Sequence, residues 1–157
     1  MEKTFEDYFT ELQADMVDIC LEYVKNKAEK IYIYISREGK MTMSGVFYKI
    51  NNIFVERHKL NDALTEDEKR KFQYDVSDDQ QRSLLTIING DVAKIIKLCK
   101  QYNKDMPTEM KIIYDVTKTS MKAEYKYDLQ YSNDPEKLPE HIVDEWFEKV
   151  KMLKEEV

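Results

Sequence analysis

The chain has 157 residues, of which 42% are hydrophobic and 36% are charged, and its formal net charge is −6. This length suits one domain that can bury a core, and 11 Tyr, 6 Phe and 1 Trp supply more core material than an intrinsically disordered chain contains. The negative charge argues against a general nucleic-acid binder. It is compatible with a basic partner, but many proteins carry such a charge for solubility alone. With three glycines and three prolines, long loops and glycine-rich phosphate-binding loops are not expected. We predict a single domain over residues 1–157.

The first predicted element is an amphipathic helix over residues 4–27, in which apolar residues recur at three- and four-residue spacing after a plausible N-cap at Thr4. Cys20 in this helix and Cys99 further along both lie inside apolar helical patterns, without the close spacing of a metal or redox motif. We expect both to be buried, reduced thiols.

A three-stranded meander is predicted next. The segments IYIYIS (31–36) and MTMSGVFYKI (41–50) are rich in β-branched and aromatic residues and are joined by a short REGK turn. Asn51 and Asn52 favour a second tight turn, because asparagine tolerates positive φ. The segment IFVERHKL (53–60) would then form the third strand.

The following polar stretch, residues 61–79, contains two helix-start signals. Thr65 followed by Glu68 resembles a capping box, which predicts a short surface helix over TEDEKRKF. Ser77 followed by Gln80 predicts a second such box at the start of a long helix over residues 78–102. We interpret the glycine inside this helix, Gly90, as a sign of a closely packed neighbour or a local bend.

A hairpin and a closing helix complete the chain. Even positions from Met110 to Val116 are apolar, and after a KTS turn the odd positions of MKAEYKYDLQY (121–131) are apolar while charges alternate with them. This pattern predicts a strand with one buried face and one solvated face. Pro139 suits the first turn of a helix, whose apolar stripe is Ile142, Val143, Trp146, Phe147, Val150 and Leu153.

These elements together predict an α+β fold. It would comprise an antiparallel sheet of about five strands, a three-stranded meander plus a hairpin, with the N-terminal, middle and C-terminal helices packed on one face.

Catalytic chemistry is not indicated. His58 and His141 have no cysteine, serine elbow or second histidine at ligand spacing. The acidic residues fall mainly at helix starts, where the helix dipole favours them. The tyrosines on predicted strands suit a sheet-to-helix interface. We therefore expect no enzyme, no cofactor and no metal site.

Two segments resemble a known family. AEKIYIYISREGKMTMSGVFYKI (28–50) and MPTEMKIIYDVTKTSMKAEYKYDL (106–129) are similar to the sheet-forming segments of YezG-type antitoxins, small bacterial immunity proteins that neutralise nuclease domains of secreted LXG-type polymorphic toxins. The order of elements agrees as well. The matching positions are Glu29, Lys30, Ile31, Tyr32, Pro107, Thr108, Tyr125, Tyr127, Asp128 and Trp146. The family often carries Trp where this chain has Ala28.

The resemblance implies an immunity protein that binds a cognate toxin C-terminal domain and blocks it stoichiometrically, without contacting nucleic acid or membrane itself. An acidic inhibitor of a nuclease would associate quickly through electrostatic steering. We place the contact on the solvated face of the second hairpin and on nearby acids. The candidate residues are Asp75, Asp78, Asp79, Glu124, Asp128 and Asp134.

Two other functions stay open at the level of sequence. A secretion chaperone or adaptor would hold an exported effector through a sheet edge or an apolar groove. A hydrolase would use an acidic cluster and lose turnover when one or two carboxylates are changed. The N-terminus MEKTFEDYF lacks the layout of a signal peptide, so we expect a cytoplasmic protein, and the sequence leaves its oligomeric state open.

Overall fold

A computed structural model describes residues 2–153, so Met1 and residues 154–157 of the predicted domain lie outside the described residues. Four α-helices and five β-strands account for most of the described chain. In chain order they are α1 (Phe5–Tyr23), β1 (Lys30–Glu38), β2 (Met41–Ile50), β3 (Ile53–Glu56), α2 (Glu66–Lys71), α3 (Asp78–Gln101), β4 (Glu109–Asp115), β5 (Ser120–Lys126) and α4 (Pro139–Leu153).

The five strands form one antiparallel sheet in the order β3-β2-β1-β4-β5. The meander β1-β2-β3 and the hairpin β4-β5 are therefore joined by pairing between β1 and β4, which makes β1 the central strand. The predicted α+β class, the number of strands and the order of the helices along the chain are confirmed. The tight turns follow the sequence signals, since Asn51 and Asn52 have φ of 52° and 63° and Gly39 has φ of 60°.

Helices cover both faces of the sheet, which corrects the prediction that they share one face. Ile31, Ile33 and Ile35 of β1 pack toward α1 and α3, whereas Tyr32 and Tyr34 pack toward α4. Because successive side chains of a strand alternate between faces, a central strand with the sequence IYIYI presents large apolar groups on both sides. Each side then requires a helical cover, and α4 supplies the second one.

Two predicted elements end earlier than the sequence patterns suggested. The first helix stops at Tyr23 because Lys25 and Asn26 adopt positive φ of 55° and 61°. The third strand stops at Glu56, and residues Arg57–Ala63 form a 3₁₀ helix instead of the predicted continuation to residue 60. The buried side chains of Leu60 and Ala63 are three residues apart, which matches the three-residue turn of a 3₁₀ helix.

The capping signals are confirmed for the most part. Thr4 and Thr65 both form complete capping boxes at the starts of α1 and α2. Ser77 accepts a hydrogen bond from the backbone N–H of Gln80 (3.3 Å), but the structure shows only this half of the second predicted box. Cys20 and Cys99 are free and buried, as expected.

Two glycines occupy opposite environments. A Cβ atom added at Gly45 in β2 would lie 3.1 Å from Cγ2 of Val143, so α4 packs directly against the glycine backbone. A Cβ atom at Gly90 would meet no atom within 4 Å. The close packing inferred for Gly90 is therefore wrong, and Gly45 is the glycine that allows a helix to approach.

Candidate protein-binding edge

Strand β5 lies at one edge of the sheet, and no strand within residues 2–153 pairs with its outer side. We call the outer side of Ser120–Lys126 the β5 edge. At the opposite end of the sheet, β3 is only four residues long and is followed at once by the 3₁₀ helix. Short edge strands resist pairing with other chains, whereas a seven-residue edge offers a row of backbone donors and acceptors. The β5 edge is therefore the more receptive of the two.

The hydrogen bonds around β4 show which backbone groups of β5 point outward. The backbone N–H of Arg37 donates to the carbonyl of Thr108 (2.9 Å), and that of Val116 donates to the carbonyl of Glu29 (2.9 Å). Even-numbered residues of β4 therefore bond to β1, and odd-numbered residues bond to β5, because bonding directions alternate along a strand. In the observed register the β5 partners of those odd residues are even-numbered. The outward backbone groups consequently belong to Met121, Ala123 and Tyr125.

Apolar side chains are exposed on this edge and just beyond its end at Lys126. Met121, Tyr125, Tyr127 and Leu129 are 37%, 38%, 57% and 51% exposed. They belong to the predicted buried face of residues 121–131, so that prediction is wrong at these four positions, whereas Ala123 is half-buried and Tyr131 is buried. Among these four residues, Tyr125 contacts α1. Its ring centroid lies 5.5 Å from that of Phe9, and its hydroxyl accepts a hydrogen bond from the side chain of Gln13 (2.6 Å).

The predicted strand over residues 121–131 also ends early, at Lys126. The hydroxyl of Thr108 donates to the carbonyl of Asp128 (2.6 Å), and the backbone N–H groups of Gln130 and Ser132 donate to the carboxylate of Glu38 (2.8 and 3.0 Å). These bonds draw the chain away from the edge and across the end of β1. The β5 edge is left without cover from the segment that follows it.

The carboxylate of Glu38 is a buried anchor for this crossing segment. Burial by itself would raise the pKa of Glu38, but the hydrogen bonds from Ser132 and Gln130 outweigh it, so the pKa of Glu38 lies below its ordinary value. The charged form therefore holds residues 130–132 in place at neutral pH.

A polar row follows β4 and β5 on the face that carries α4. Glu109 is buried, accepts a hydrogen bond from the Tyr34 hydroxyl (3.0 Å) and lies 3.5 Å from the Lys126 ammonium. Lys111 lies over the Trp146 ring, 5.3 Å from its centroid, and burial lowers the pKa of Lys111. Burial, followed by the nearby charge of Glu109, raises the pKa of Tyr34. Exposed Glu124 lies opposite Lys111 in the register and extends this row to the β5 edge.

The structure does not bring all the predicted acidic residues together. Glu124 and Asp128 lie on β5 and just beyond it. Asp75 lies near Lys25, past the end of α1, and α1 runs from Phe9 beside β5 to Tyr23, whose hydroxyl donates to the carbonyl of Arg57 after β3 (3.0 Å). The two acidic groups therefore lie toward opposite edges of the sheet, whose edge strands β3 and β5 are about 19 Å apart at the usual strand spacing.

The acids near the start of α3 have local structural roles. Asp75 accepts a hydrogen bond from the backbone N–H of Ser77 (3.0 Å), which lowers the pKa of Asp75, and Asp79 pairs with Arg82 (2.9 Å). Asp78 occupies the first turn of α3 beside Asp79. Asp134 accepts a hydrogen bond from the backbone N–H of Glu136 (2.9 Å) within the segment before α4. A shared surface therefore includes Glu124 and Asp128 but not Asp75, Asp78 or Asp79.

One buried carboxyl, that of Asp91, was not predicted from the sequence. Asp91 of α3 is 2% exposed, faces Asp15 of α1, and its Oδ2 receives no hydrogen bond from any described residue. Burial, then the adjacent Asp15 carboxyl, raises the pKa of Asp91 to about 7. The signal was present in the sequence, because Asp91 lies three residues after Ile88 and four before Ile95 on the buried stripe of α3.

Other site types find little support in the described chain. Among residues 2–153, no three histidine, cysteine, aspartate or glutamate side chains are grouped so that they could hold a metal ion. His141 lies in the first turn of α4, where its Nδ1 accepts a hydrogen bond from the backbone N–H of Leu138 (3.1 Å), just before the helix. None of the helices described here combines the length and apolar character needed to cross a bilayer.

Comparison with known proteins assigns no family. No protein-family model matches the chain, and no curated protein matches it.

Proposed function

We propose that this protein is an immunity protein that binds the C-terminal domain of a cognate secreted bacterial toxin, a nuclease, and blocks it stoichiometrically. The observation that carries the proposal is the open β5 edge, with Met121 and Tyr125 exposed on the strand and Tyr127 and Leu129 exposed just beyond it. An exposed edge strand accepts an extended segment of another protein by strand addition, and apolar side chains beside it add contact area.

The charges at this edge agree with a basic partner. Glu124 and Asp128 are exposed on and just beyond β5, and the whole chain carries a formal charge of −6. A nuclease must present a positive surface to phosphate groups, so an acidic inhibitor gains a fast, salt-dependent association with it. The similarity of residues 28–50 and 106–129 to YezG-type antitoxins supports the same proposal. We propose a cytoplasmic location, where such an inhibitor would protect the producing cell.

The first experiment is a capture of partners from the native bacterial lysate with the tagged chain, at low and high salt, followed by identification of the bound proteins by mass. We expect a toxin C-terminal domain that is released as salt rises. A captured domain should then lose nuclease activity in proportion to the amount of added protein. A captured domain that stays fully active would contradict the proposal.

A second experiment localises the contact. Ala123→Pro removes an outward N–H from the β5 edge without removing a hydrogen bond of the sheet, so it should block strand addition while the fold persists. Thr42→Pro is the control for an outward proline elsewhere in the sheet, and it also removes the hydroxyl that accepts a hydrogen bond from Arg37 (2.8 Å). By the same alternation, Thr42 points its N–H outward from β2, beyond the residues that pair with β3. We expect Ala123→Pro to abolish toxin inhibition and Thr42→Pro to retain it. Equal inhibition by both variants would remove the β5 edge from the proposal.

A secretion chaperone is the second candidate, because the same open edge could hold an exported effector in an extended form. The two functions differ in their effect on the bound protein. A chaperone should change the stability or the export of the effector and leave its catalytic activity intact, whereas an immunity protein should abolish that activity.

A further inference from the structure

The β5 edge is complementary to a second copy of itself. Two antiparallel β5 strands can exchange backbone hydrogen bonds only when outward-facing residues lie opposite one another. Those residues are Met121, Ala123 and Tyr125. One permitted two-fold register is therefore converted into the next by sliding one strand along the other from one outward residue to the next.

Charge distinguishes among these registers. With Ala123 opposite Ala123 of the second copy, Lys122 of each copy lies opposite Glu124 of the other, which gives two attractive pairs. A shift by one step in one direction places Lys122 opposite Lys122. A shift in the other direction places Glu124 opposite Glu124. Opposite charges directly across two strands are stabilising and like charges are destabilising, and larger shifts leave fewer residues of Ser120–Lys126 opposite one another, so the register centred on Ala123 is favoured.

The apolar residues agree with the same register. Met121 of each copy lies opposite Tyr125 of the other, on the face that carries α1 and α3. Both side chains are more than a third exposed in the single chain and would become covered. A methionine sulfur beside an aromatic ring is a favourable contact. Lys126 is already paired with Glu109 of its own chain and contributes no unpaired charge to the register.

We propose that two copies of this chain pair through their β5 edges in the register centred on Ala123, so that their two sheets become one continuous antiparallel sheet. A contact of one strand and its flanking side chains is small, so the dimer is weak and depends on concentration. The inference goes beyond the proposed function, and it holds whether or not a toxin binds. Where a toxin segment occupies the same edge, toxin and second copy compete for it.

The test is sedimentation equilibrium of the purified chain over a wide range of concentrations. The wild-type chain should change from monomer to dimer as concentration rises. Lys122→Glu and Glu124→Lys each turn both attractive pairs into repulsive ones and should weaken the dimer by about tenfold or more. Lys97→Glu and Glu148→Lys make the same changes of net charge at exposed positions on α3 and α4, and they should dimerise like the wild type.

Two restoration experiments separate the register from a general effect of charge or misfolding. The double variant with Lys122→Glu and Glu124→Lys again places opposite charges across the two-fold axis and should dimerise like the wild type. A mixture of the two single variants should form a heterodimer as readily as the wild type dimerises, although each variant alone dimerises at least about tenfold more weakly. A wild-type chain that stays monomeric at every concentration, single variants that dimerise normally, or a double variant that stays monomeric would each overturn the proposal. None of these measurements uses a toxin, so they are independent of the proposed function.

Discussion

The two faces of the sheet are built from different residue types and are covered in different ways. The face under α1 and α3 is mainly aliphatic and includes Ile31, Ile33 and Ile35 of the central strand. The face under α4 is mainly aromatic, with Trp146 packed against Tyr32 (5.7 Å between ring centroids) and Phe47 (5.0 Å). Two long helices secure the first face, whereas one helix secures the second through a few large rings.

The two sides of the sheet also differ in whether their buried carboxyl groups have compensating partners. On the aliphatic side, the Asp91 carboxyl is enclosed beside the exposed Asp15, and burial, followed by the nearby Asp15 carboxyl, raises the pKa of Asp91 to about 7. On the aromatic side, Glu109 is compensated by the Tyr34 hydroxyl and the Lys126 ammonium. A buried charge with partners is tolerated, whereas a buried carboxyl with a raised pKa ties stability to pH. The following changes test the contrast, beginning with the largest expected effect.

Replacement of Trp146 with alanine should most strongly weaken the aromatic face. Trp146 is 2% exposed and contacts Tyr32, Tyr34 and Phe47, so Trp146→Ala removes the central ring beneath α4. The expected loss is about 3–5 kcal/mol of unfolding free energy. Urea denaturation measures it. Trp146→Phe keeps a ring and removes an indole N–H that has no partner among the described residues, so it should cost much less. Equal losses for the two variants would contradict this account.

Asp91→Asn should change the pH dependence of stability on the aliphatic side. The folded pKa of Asp91 is about 7, above the ordinary value of 3.8, so its contribution to stability is present below pH 4 and is lost as pH rises to 7. At about 1.4 kcal/mol per pKa unit, the loss is at most about 4 kcal/mol.

We expect Asp91→Asn to be more stable than the wild type above pH 7 and to lack this decline, as measured by urea denaturation across the pH range. Asp18→Asn, at an exposed acid on α1, is the control and should leave the decline in place. An unchanged decline in Asp91→Asn would refute the assignment.

Gly45→Ala should loosen α4 by crowding it. The new Cβ would lie 3.1 Å from a methyl group of Val143, and a β-branched side chain in a helix has little rotamer freedom with which to move away. We expect a loss of about 1–3 kcal/mol. Adding Val143→Ala should recover part of the loss in thermal unfolding. A double variant that is less stable than both single variants would show that crowding is not the cause.

Gly90→Ala should give the smallest change, and its sign should be opposite. Gly90 lies inside α3 with open space around the added Cβ, so alanine gains helix propensity without a clash. We expect a gain of about 1 kcal/mol in unfolding free energy, measured by the same denaturation curves. A loss of stability at Gly90 comparable to that at Gly45 would mean that α3 is closely packed at this position after all.

Part of the candidate site could be predicted from the sequence. Alternation in residues 120–126 indicates a strand, and Glu124 falls on its charged face as expected. The exposure of Met121 and Tyr125 could not be predicted, because an apolar row looks the same whether or not a helix covers it. The separation of Asp75 from Glu124 also depends on the path of α1 across the sheet.

The sequence by itself determined the local elements. Spacing of three and four residues marks the helices, alternation marks the strands, and Thr4, Thr65, Asn51 and Asn52 mark boundaries through short-range hydrogen bonds and backbone preferences. Only the tertiary structure decided that β4 pairs with β1, that α4 covers the opposite face, and that β5 remains an open edge. Those features depend on contacts between residues far apart in the chain, which local patterns along the sequence do not encode.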